Sequence, residues 1–389
     1  MIKIEEAYDI VINSAVTLTT EKVEFNNSLY RILAEDVKSD IEMPPFDKAA
    51  VDGYACKSSD VDLELEVVES VQAGQTPLIK VGNGQCTQIM TGAPVPEGID
   101  TIVMVEHTEK NNGKVKVLIK STKTNISHRA EDVKEGQVVL QKGIQIKPQH
   151  IAIFASVGYT NVLVYKKPKV GIISTGDELV EPNEKPGLSK IRNSNGHQIL
   201  AQVSAMGAQA KYFGIAKDTE EDTFRIVTEA LSESDTIILS GGVSMGEFDF
   251  VADVLKRAGI NILFDSIAVK PGKPTTFGVA DKKFCFGLPG NPVSSFIQFE
   301  LLTKPLLYRL MGLNFKPVEI RLPMAVEYSR KRTVRKSYIP VLIENGKIKP
   351  IEYHGSAHIH ALNKADGIIS IPIGVNTLKE GEIVDVRQI

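Results

Sequence analysis

The sequence is poor in the residues that mark several common classes of protein. It contains no tryptophan and only three cysteines, Cys56, Cys86 and Cys285, in 389 residues. Because these cysteines are odd in number and far apart in the sequence, we predict reduced thiols and neither a disulfide framework nor a CxxC metal motif. No stretch approaches the roughly 18 consecutive apolar residues of a membrane-spanning helix, and acidic residues stand near the start, where a secretory signal would be apolar. We therefore expect a cytoplasmic protein that does not contact a membrane.

An excess of charge of either sign is also missing. The 45 Lys and Arg residues nearly balance the 48 Asp and Glu residues, which leaves a net charge of -3 at pH 7. The composition therefore gives no reason to expect nucleic acid as a partner, although a local patch could still bind anions. The sequence contains neither a Walker A motif nor GxGxxG, so the common nucleotide-binding folds fit poorly.

The pattern of apolar residues changes along the chain and predicts an α/β multidomain protein of roughly two to four domains. Residues 3–17 have helical spacing, and later Asn112-Gly113 indicates a hairpin between predicted strands at 101–105 and 115–119. Alternating apolar residues return at 318–322 and 338–343, followed by a second hairpin signal at Asn345-Gly346. We expect an N-terminal helix and linker domain at 1–45 with 138–166, a β-rich insert domain at 46–137, a doubly wound α/β domain at 167–313 and a C-terminal β-barrel domain at 314–389.

The α/β domain is predicted by apolar runs that alternate with helical patterns. Strands are expected at 170–173, 212–215, 236–239, 262–264 and 284–286. Asn195 is expected to cap one helix, Thr219 with Asp222 to begin the next, and Asn291-Pro292 to open the last. This alternation is typical of a parallel sheet covered on both faces, whose ligands bind at the carboxyl ends of the strands.

Loops rich in glycine, serine or lysine follow the strands at 174–178, 240–249, 269–274 and 287–292. Glycine lets backbone N–H groups approach a ligand closely, helix N-termini favour anions, and Lys270 and Lys273 add positive charge. Each loop alone is explained as a tight turn or a solvated surface, but four such loops at one sheet edge predict a phosphate cradle. The expected substrate-binding residues are Thr175, Gly176, Asp177, Ser240, Gly241, Gly242, Ser244, Gly246, Pro289, Gly290 and Asn291.

Carboxylates in loops are a second signal, and each taken singly could be a helix cap or a surface residue. They are Asp52, Asp132, Asp177, Glu178, Asp218 and Asp249. Mg²⁺ prefers oxygen ligands and often joins protein carboxylates to substrate phosphates, so we expect a magnesium ion beside the cradle. His354, His358 and His360 lack Cys or Glu partners at zinc spacing, which disfavours zinc. The basic run 330–336 is explained equally well as a solvated face or as a guide for an oxyanion.

Seven short motifs, taken together in their order along the chain, resemble those of the molybdopterin molybdenumtransferase (MoeA) family over essentially the whole chain. They are residues 44–55 (PPFDKAAVDGYA), 90–96 (MTGAPVP), 128–132 (HRAED), 174–179 (STGDEL), 240–244 (SGGVS), 270–274 (KPGKP) and 288–292 (LPGNP). The resemblance implies a transferase of molybdenum cofactor biosynthesis. Such an enzyme inserts molybdate into adenylylated molybdopterin, releases AMP and uses Mg²⁺ or a similar ion.

The resemblance also implies an assembly. It indicates a homodimer with the active site between subunits, where the Asp52 region of one chain faces the α/β domain of the other. One domain is similar to molybdopterin adenylyltransferase, the enzyme of the preceding step, so that enzyme is an expected partner.

Carried over position by position, the resemblance implies roles for individual residues. The catalytic positions are Asp52, Asp132, Glu178, Asp218, Asp249, Lys270 and Lys273, of which Glu178 and Asp249 would hold the metal. Arg335 and Ser356 would bind substrate, although the family often has a second arginine where Pro340 stands here. Two alternatives stay open, a molybdopterin adenylyltransferase and a non-enzymatic scaffold. The Asp52 region and the C-terminal domain argue against the first, and the retained acids and lysines argue against the second.

Overall fold

A computed structural model describes residues 1–119, 123–242, 251–352, 355 and 357–389. The chain begins with helix α1, Ile4–Ser14, which ends earlier than the predicted 3–17. Ile4, Ala7 and Val11 recur at helical spacing and are buried in the same core as residues of the α/β domain. Strand β1, Thr20–Glu24, a 3-10 turn, Phe25–Ser28, and strand β2, Val37–Lys38, follow. The first helix therefore belongs by packing to a domain that starts far downstream.

The next part of the chain is rich in β-structure, as predicted. Its strands are β3 Lys48–Ala49, β4 Gly53–Cys56, β5 Glu64–Val71, β6 Gln85–Ile89, β7 Thr101–Met104, β8 Thr108–Asn111, β9 Lys114–Val117 and β10 Ile126–Ser127, with 3-10 turns at Ser58–Asp60 and Val105–His107. Six strands form one sheet in the order β7-β4-β6-β5-β9-β8. The hairpin at Asn112 (φ 46°) and Gly113 (φ 79°) joins β9 to β8, a short strand that the apolar pattern missed, and not to β7.

The next part of the chain pairs with the N-terminal strands β1 and β2. It forms β11 Val138–Leu140, α2 Pro148–Ser156 and β12 Asn161–Tyr165. β11 pairs with β2 and β12 pairs with β1, both antiparallel. Leu33, Phe154 and Val162 are buried in a core of their own. Residues 138–165 are thus held against residues 20–38.

The α/β domain contains most of the helices. Its elements are β13 Lys169–Thr175, β14 Leu179–Val180, β15 Ile191–Arg192, α3 Asn195–Ala205, β16 Gln209–Ala216, α4 Glu220–Glu233, β17 Thr236–Ser240, α5 Val251–Arg257, β18 Asn261–Ser266, β19 Val269–Lys270, β20 Pro274–Ala280, β21 Lys283–Leu288, α6 Pro292–Gln298, a π-helix Phe299–Thr303 and α7 Lys304–Leu310. The sheet order is β16-β13-β17-β21-β20-β18. β20 was not predicted and runs opposite to the other five strands, whose carboxyl ends therefore share one edge.

Both faces of this sheet are covered. Because side chains alternate along a strand, Val170 and Ile172 of β13 pack into one core and Ile173 packs into another. Helices α1, α3, α6 and α7 contribute to the first core, and α4 and α5 contribute to the second. The doubly wound architecture is confirmed. Among the residues that the structure describes, no helix is long and apolar enough to cross a membrane.

Two predicted helix starts had different outcomes. The Thr219 hydroxyl accepts a hydrogen bond from the Asp222 N–H and caps α4, as expected. Asn195 is the first residue of α3, but Ser194 holds the cap position and the Asn195 side chain makes no cap hydrogen bond. The prediction that Asn195 caps α3 is wrong, because its amide is used to join two loops, as described below.

The C-terminal domain is a closed, curled sheet. Its elements are β22 Glu319–Pro323, β23 Tyr328–Ser329, β24 Lys336–Glu344, β25 Lys347–Pro350, a 3-10 helix Ile359–Lys364, β26 Gly367–Ile371, β27 Thr377–Leu378 and β28 Ile383–Gln388. β25, β24, β26, β28 and β22 pair in that order. Met324, directly after β22, bridges Ile348 of β25 and closes the sheet around Val341 and Val386. The β-barrel and its Asn345-Gly346 hairpin are confirmed.

Candidate active site

Three loops meet at the carboxyl edge of the α/β sheet. They are residues 174–178 after β13, 240–242 after β17 and 289–291 after β21, and we call them together the glycine edge. The Gly241 N–H donates to the Leu288 carbonyl at 3.2 Å. The Asn195 amide donates to the Ser240 hydroxyl and to the Gly290 carbonyl, both at 2.8 Å. Asn195 therefore joins the second loop to the third.

Two glycines permit this close approach. Gly241 has φ 94°, and a Cβ atom there would lie 2.5 Å from the Thr175 carbonyl oxygen. Gly242 has φ 62°, and its Cβ would lie 2.8 Å from the Thr175 hydroxyl. A side chain at either position would meet both steric conflict and an unfavourable backbone conformation. Among the described residues the buried Thr175 hydroxyl and the side-chain amide oxygen (Oδ1) of Asn195 lack hydrogen-bond partners, so polar groups remain available at this edge.

Three acids stand at the end of β13 and β16. The Asp177 N–H donates to Asp218 and the Asp218 N–H donates to Asp177, each at 3.1 Å. The Glu178 carboxylate lies against Gly176, where a Cβ would be 2.6 Å from its oxygen. Lys190, which the sequence reasoning missed, donates to the Asp177 carbonyl. Within the described part of the chain no three His, Cys, Asp or Glu side chains are grouped closely enough to hold a metal by themselves.

A cavity of about 470 Å³ lies between the α/β domain and the C-terminal barrel. Four cations line it, Lys270, Lys273, Arg330 and Arg335, and we call it the cation cavity. Its wall also includes Pro289, Asn291, Ser294, Tyr328, Ser337 and Gly355. Of the lining residues that the structure describes, none is an Asp or Glu. Uncompensated positive charge in a concave site favours an anion.

The loop that carries the two lysines is fixed by its carbonyl oxygens. The Gln298 amide donates to the Pro271 carbonyl at 3.0 Å, and the Thr275 hydroxyl donates to the Gly272 carbonyl at 3.0 Å. Arg335 Nη1 donates to the Val269 carbonyl at 3.0 Å. These donors satisfy carbonyl oxygens that would otherwise repel an anion. Gln298 had no signal in the sequence, because it is a buried amide within an apolar helix that runs into a π-helix.

Two domains meet at this cavity through a β-ladder. β19 pairs in parallel with β24, so that Val269 lies opposite Lys336 and Lys270 lies opposite Ser337. Lys336 also forms an ion pair with Glu5 of α1 at 2.9 Å. Lys270 and Arg335 are thereby held near one another although they are distant in the sequence.

The other predicted acids lie elsewhere in the chain. The Asp52 carboxylate accepts hydrogen bonds from the Thr91 N–H at 2.6 Å and from its hydroxyl at 2.7 Å. These hydrogen bonds hold the pKa of Asp52 below its usual range. The bond from the Thr91 backbone N–H has the larger effect and the bond from its hydroxyl the smaller one. The Asp132 N–H donates to the Met43 carbonyl at 3.0 Å. Among the described lining residues of the cation cavity, neither Asp52 nor Asp132 occurs.

Ser244, Gly246, Asp249 and Ser356 lie outside the described residues. Gly355, next to Ser356, lines the cation cavity. Pro340, which departs from the second arginine that the resemblance associates with about this place, is buried inside β24 opposite Ile368.

A further cavity of about 400 Å³ opens at the other edge of the sheet. It is lined by Lys169, Gln209 and Ser234, which stand near the amino ends of β13, β16 and β17. The glycine loops and the four cavity cations are at the opposite, carboxyl edge. We therefore place the candidate active site at the carboxyl edge, where α/β folds bind their ligands.

The fold and the site define a multidomain protein built around a doubly wound α/β domain whose carboxyl edge suits anionic ligands. Three family models match the chain in order. The MoeA N-terminal region (domain I and II) matches residues 2–158, the probable molybdopterin binding domain matches 171–309, and the MoeA C-terminal region (domain IV) matches 321–389.

Individual relatives agree with the family models. The chain is 35% identical to a molybdopterin molybdenumtransferase of Staphylococcus epidermidis, over 99% of this chain and 95% of that protein. It is 34% identical to a molybdopterin molybdenumtransferase of Bacillus subtilis, over 99% of this chain and 93% of that protein. A crystal structure of the molybdopterin biosynthesis MoeA protein of Pyrococcus horikoshii has a TM-score of 0.88 at 30% identity, covering 100% of both chains. The chain belongs to the MoeA family of molybdopterin molybdenumtransferases, which favours that function over an adenylyltransferase.

Proposed function

We propose that this chain inserts molybdate into adenylylated molybdopterin and releases AMP. The observation that carries the proposal is that the glycine edge and the cation cavity share a wall. Pro289 and Asn291 belong to the glycine edge and also line the cavity. An organic phosphate at the first site would therefore stand beside an inorganic oxyanion at the second.

The glycine edge suits the phosphates of the substrate. The backbone N–H groups of Gly242 and Gly290 can approach an anion because no side chain intervenes, whereas the Gly241 N–H is bonded to the Leu288 carbonyl. The Thr175 hydroxyl, which has no partner in the described part of the chain, can donate to a phosphate oxygen. Asn195 keeps two of the three loops in register through its bonds to Ser240 and Gly290. In this proposal Ser244 and Gly246 extend the same cradle.

The carboxylates suit a magnesium ion that is coordinated partly by the protein and partly by the substrate. Mg²⁺ is usually held by one or two carboxylates together with substrate phosphates, which agrees with a site that lacks a three-ligand cluster among the described residues. Glu178 would hold the ion together with Asp249. The ion, when bound, would polarise the phosphoanhydride that links the pterin phosphate to AMP. Asp218 would keep Asp177, and with it the loop of Glu178, in place.

The cation cavity suits molybdate. Lys270 and Lys273 supply point charges, and Arg335 supplies planar N–H donors that match an oxyanion. Ser356 is proposed as a further donor, next to Gly355 in the cavity wall. The same cations would stabilise negative charge that develops as AMP leaves.

Asp52 and Asp132 would complete the site from a second subunit. They stand on another part of the chain, and the hydrogen bonds from Thr91 keep the pKa of the Asp52 carboxyl below its usual range. We propose a homodimer in which they face the glycine edge of the partner. We also propose that the chain works in the cytoplasm and receives its substrate from molybdopterin adenylyltransferase.

The test is anaerobic incubation of the protein with adenylylated molybdopterin, Mg²⁺ and either molybdate or tungstate. Finished cofactor and AMP are measured together, and both should appear in proportion. Asp249→Ala should abolish AMP release, whereas Asp253→Ala should not, because Asp253 is exposed on α5 and pairs only with Lys256 at 3.3 Å in the described structure. Full AMP release by the Asp249 variant would contradict the metal assignment. Pyrophosphate release from Mg-ATP and molybdopterin at a catalytic rate would contradict the proposed reaction.

A further inference from the structure

The basic run 330–336 separates into residues with different surroundings. Lys331 and Arg332 are exposed, whereas Arg330 and Arg335 are half-buried and line the cation cavity. A charged run that is merely a solvated face would expose all of its long side chains. Two arginines of the run therefore belong to the cavity wall. They differ in how many of their N–H donors bond to the protein itself.

Arg330 is surrounded by oxygen acceptors of the protein itself. Its Nε donates to the Val375 carbonyl at 2.8 Å, and its Nη1 donates to the Arg335 carbonyl at 2.8 Å. Nη1 also donates to the Ser337 hydroxyl, and Nη2 donates to the Pro372 carbonyl. One guanidinium thus ties two segments, 335–337 and 372–375, to each other. A guanidinium has five N–H donors in a rigid fork, which suits this task.

Arg335 is held in a different way. Its carbonyl accepts from Arg330, and its Nη1 donates to the Val269 carbonyl at 3.0 Å. This leaves further guanidinium donors of Arg335 for a ligand. Arg335 directly precedes β24, whose ladder with β19 sets Lys270 opposite Ser337. Displacing the Arg335 backbone would therefore change the distance between Arg335 and the lysines.

We propose that Arg330 is a positioning residue that holds Arg335 against Lys270 and Lys273 for oxyanion binding. The inference rests on the proposed function of the cation cavity and deepens it. The four acceptors of Arg330 are uncharged oxygens, so its positive charge also adds to the field of the cavity without being cancelled by them. Its main contribution is geometric, because its N–H donors are directed to the protein and not to the ligand.

The experiment measures binding of inorganic molybdate alone by equilibrium dialysis, with bound molybdenum counted by mass spectrometry. Arg330→Met, which keeps an unbranched apolar stem but removes the guanidinium donors, should weaken binding about tenfold. Arg330→Lys should recover little of this loss, because a point charge cannot reach four acceptors in two segments. Arg332→Met is the matched control from the exposed part of the same run, and it should bind molybdate as the parent does.

A double-mutant cycle separates positioning from a general loss of folding. If Arg330 acts through Arg335, Arg330→Met should add little to the loss already caused by Arg335→Ala. Parental binding by Arg330→Met, full recovery by Arg330→Lys, or additive losses in the double variant would each overturn the proposal. Arg330→Lys keeps the charge and some hydrogen bonds, so it provides the decisive comparison if the methionine variant unfolds.

Failure of the proposed function would look different. A parent protein that binds molybdate but yields no cofactor would contradict the reaction while supporting the role of Arg330, provided that the variants differ as expected. A parent that yields cofactor but binds no molybdate in dialysis would overturn both the cavity assignment and the role of Arg330.

Discussion

The glycine edge and the cation cavity, the two proposed anion sites, offer different groups to an anion. The glycine edge lies within one domain and offers backbone groups of short, contiguous loops, made possible by Gly241 and Gly242. The cation cavity lies between two domains and offers long charged side chains, which β19, β24 and buried hydrogen bonds hold in place. We therefore expect ligand binding at the glycine edge to be sensitive to added side-chain volume, and ligand binding in the cation cavity to be sensitive to lost charge. Each prediction below affects one site and should spare the other.

The largest effect is expected from Lys273→Ala in the cation cavity. Removing one of the two lysines that line the cavity should weaken molybdate binding roughly a hundredfold, since hydrogen bonds from charged donors are the strong ones. Binding of adenylylated molybdopterin without molybdate should change little. Lys282→Ala, an exposed lysine in the turn between β20 and β21, is the control. An equal loss of affinity for both ligands would show that the two sites are not separate.

Gly241→Ala should damage the glycine edge instead. The new Cβ would lie 2.5 Å from the Thr175 carbonyl oxygen at a backbone φ of 94°, so the loop must shift. We expect adenylylated molybdopterin to bind about thirtyfold more weakly and molybdate to bind as before. Gly259→Ala is the control, because Gly259 has φ 82° but nothing within 4 Å of a Cβ. If both variants lost the same affinity, a general effect of a strained alanine on the fold, and not crowding at the glycine edge, would be responsible.

Asn195→Ala should loosen the same edge without crowding it. The variant loses the hydrogen bonds to the Ser240 hydroxyl and the Gly290 carbonyl. We expect about tenfold weaker pterin binding, and a free energy of unfolding lower by about 1–3 kcal/mol in urea titrations, because buried partners are left unpaired. Ser204→Ala, exposed on the same helix, should change neither quantity. Parental pterin affinity in the Asn195 variant would remove this residue from the site.

Gln298→Leu gives the smallest expected effect. It removes the hydrogen bond to the Pro271 carbonyl, but it also removes a buried amide oxygen that has no partner among the described residues. The two changes nearly offset each other, so the free energy of unfolding should move by no more than about 1 kcal/mol. Molybdate binding should weaken about threefold, because the lysine loop loses one support. A change in pterin binding alone would contradict its assignment to the cavity.

Much of the α/β fold could be predicted from the sequence, because buried strands and amphipathic helices have different periods. The apolar runs at 170–173 and 236–239 lie inside β13 and β17. β8 and β20 were not predicted. β8, Thr108–Asn111, lacks an apolar pattern because it is nearly all polar and exposed, and β20 follows directly on a proline-rich loop. Glycine content indicated the loops of the glycine edge, since tight turns and close backbone approach both need glycine.

The cation cavity could be predicted only in part. Lys270 and Lys273 stand in one short motif, but their proximity to Arg335 depends on a ladder between two domains. Arg330 was indicated only as a member of the basic run 330–336, which a solvated face explained equally well. Gln298 gave no signal, because a glutamine in an apolar helix has an ordinary explanation. Asn195 gave a misleading signal, because an asparagine before an apolar helix is most simply a cap. Such side chains acquire their roles from tertiary hydrogen bonds.

One measurement tests most directly whether the two sites are separate. Inorganic molybdate is dialysed against the parent, Lys273→Ala and Gly241→Ala proteins without any pterin, and bound molybdenum is counted. If the cation cavity alone binds the oxyanion, the parent and Gly241→Ala should bind it equally and Lys273→Ala should lose it. Loss of molybdate from Gly241→Ala with retention by Lys273→Ala would contradict the account.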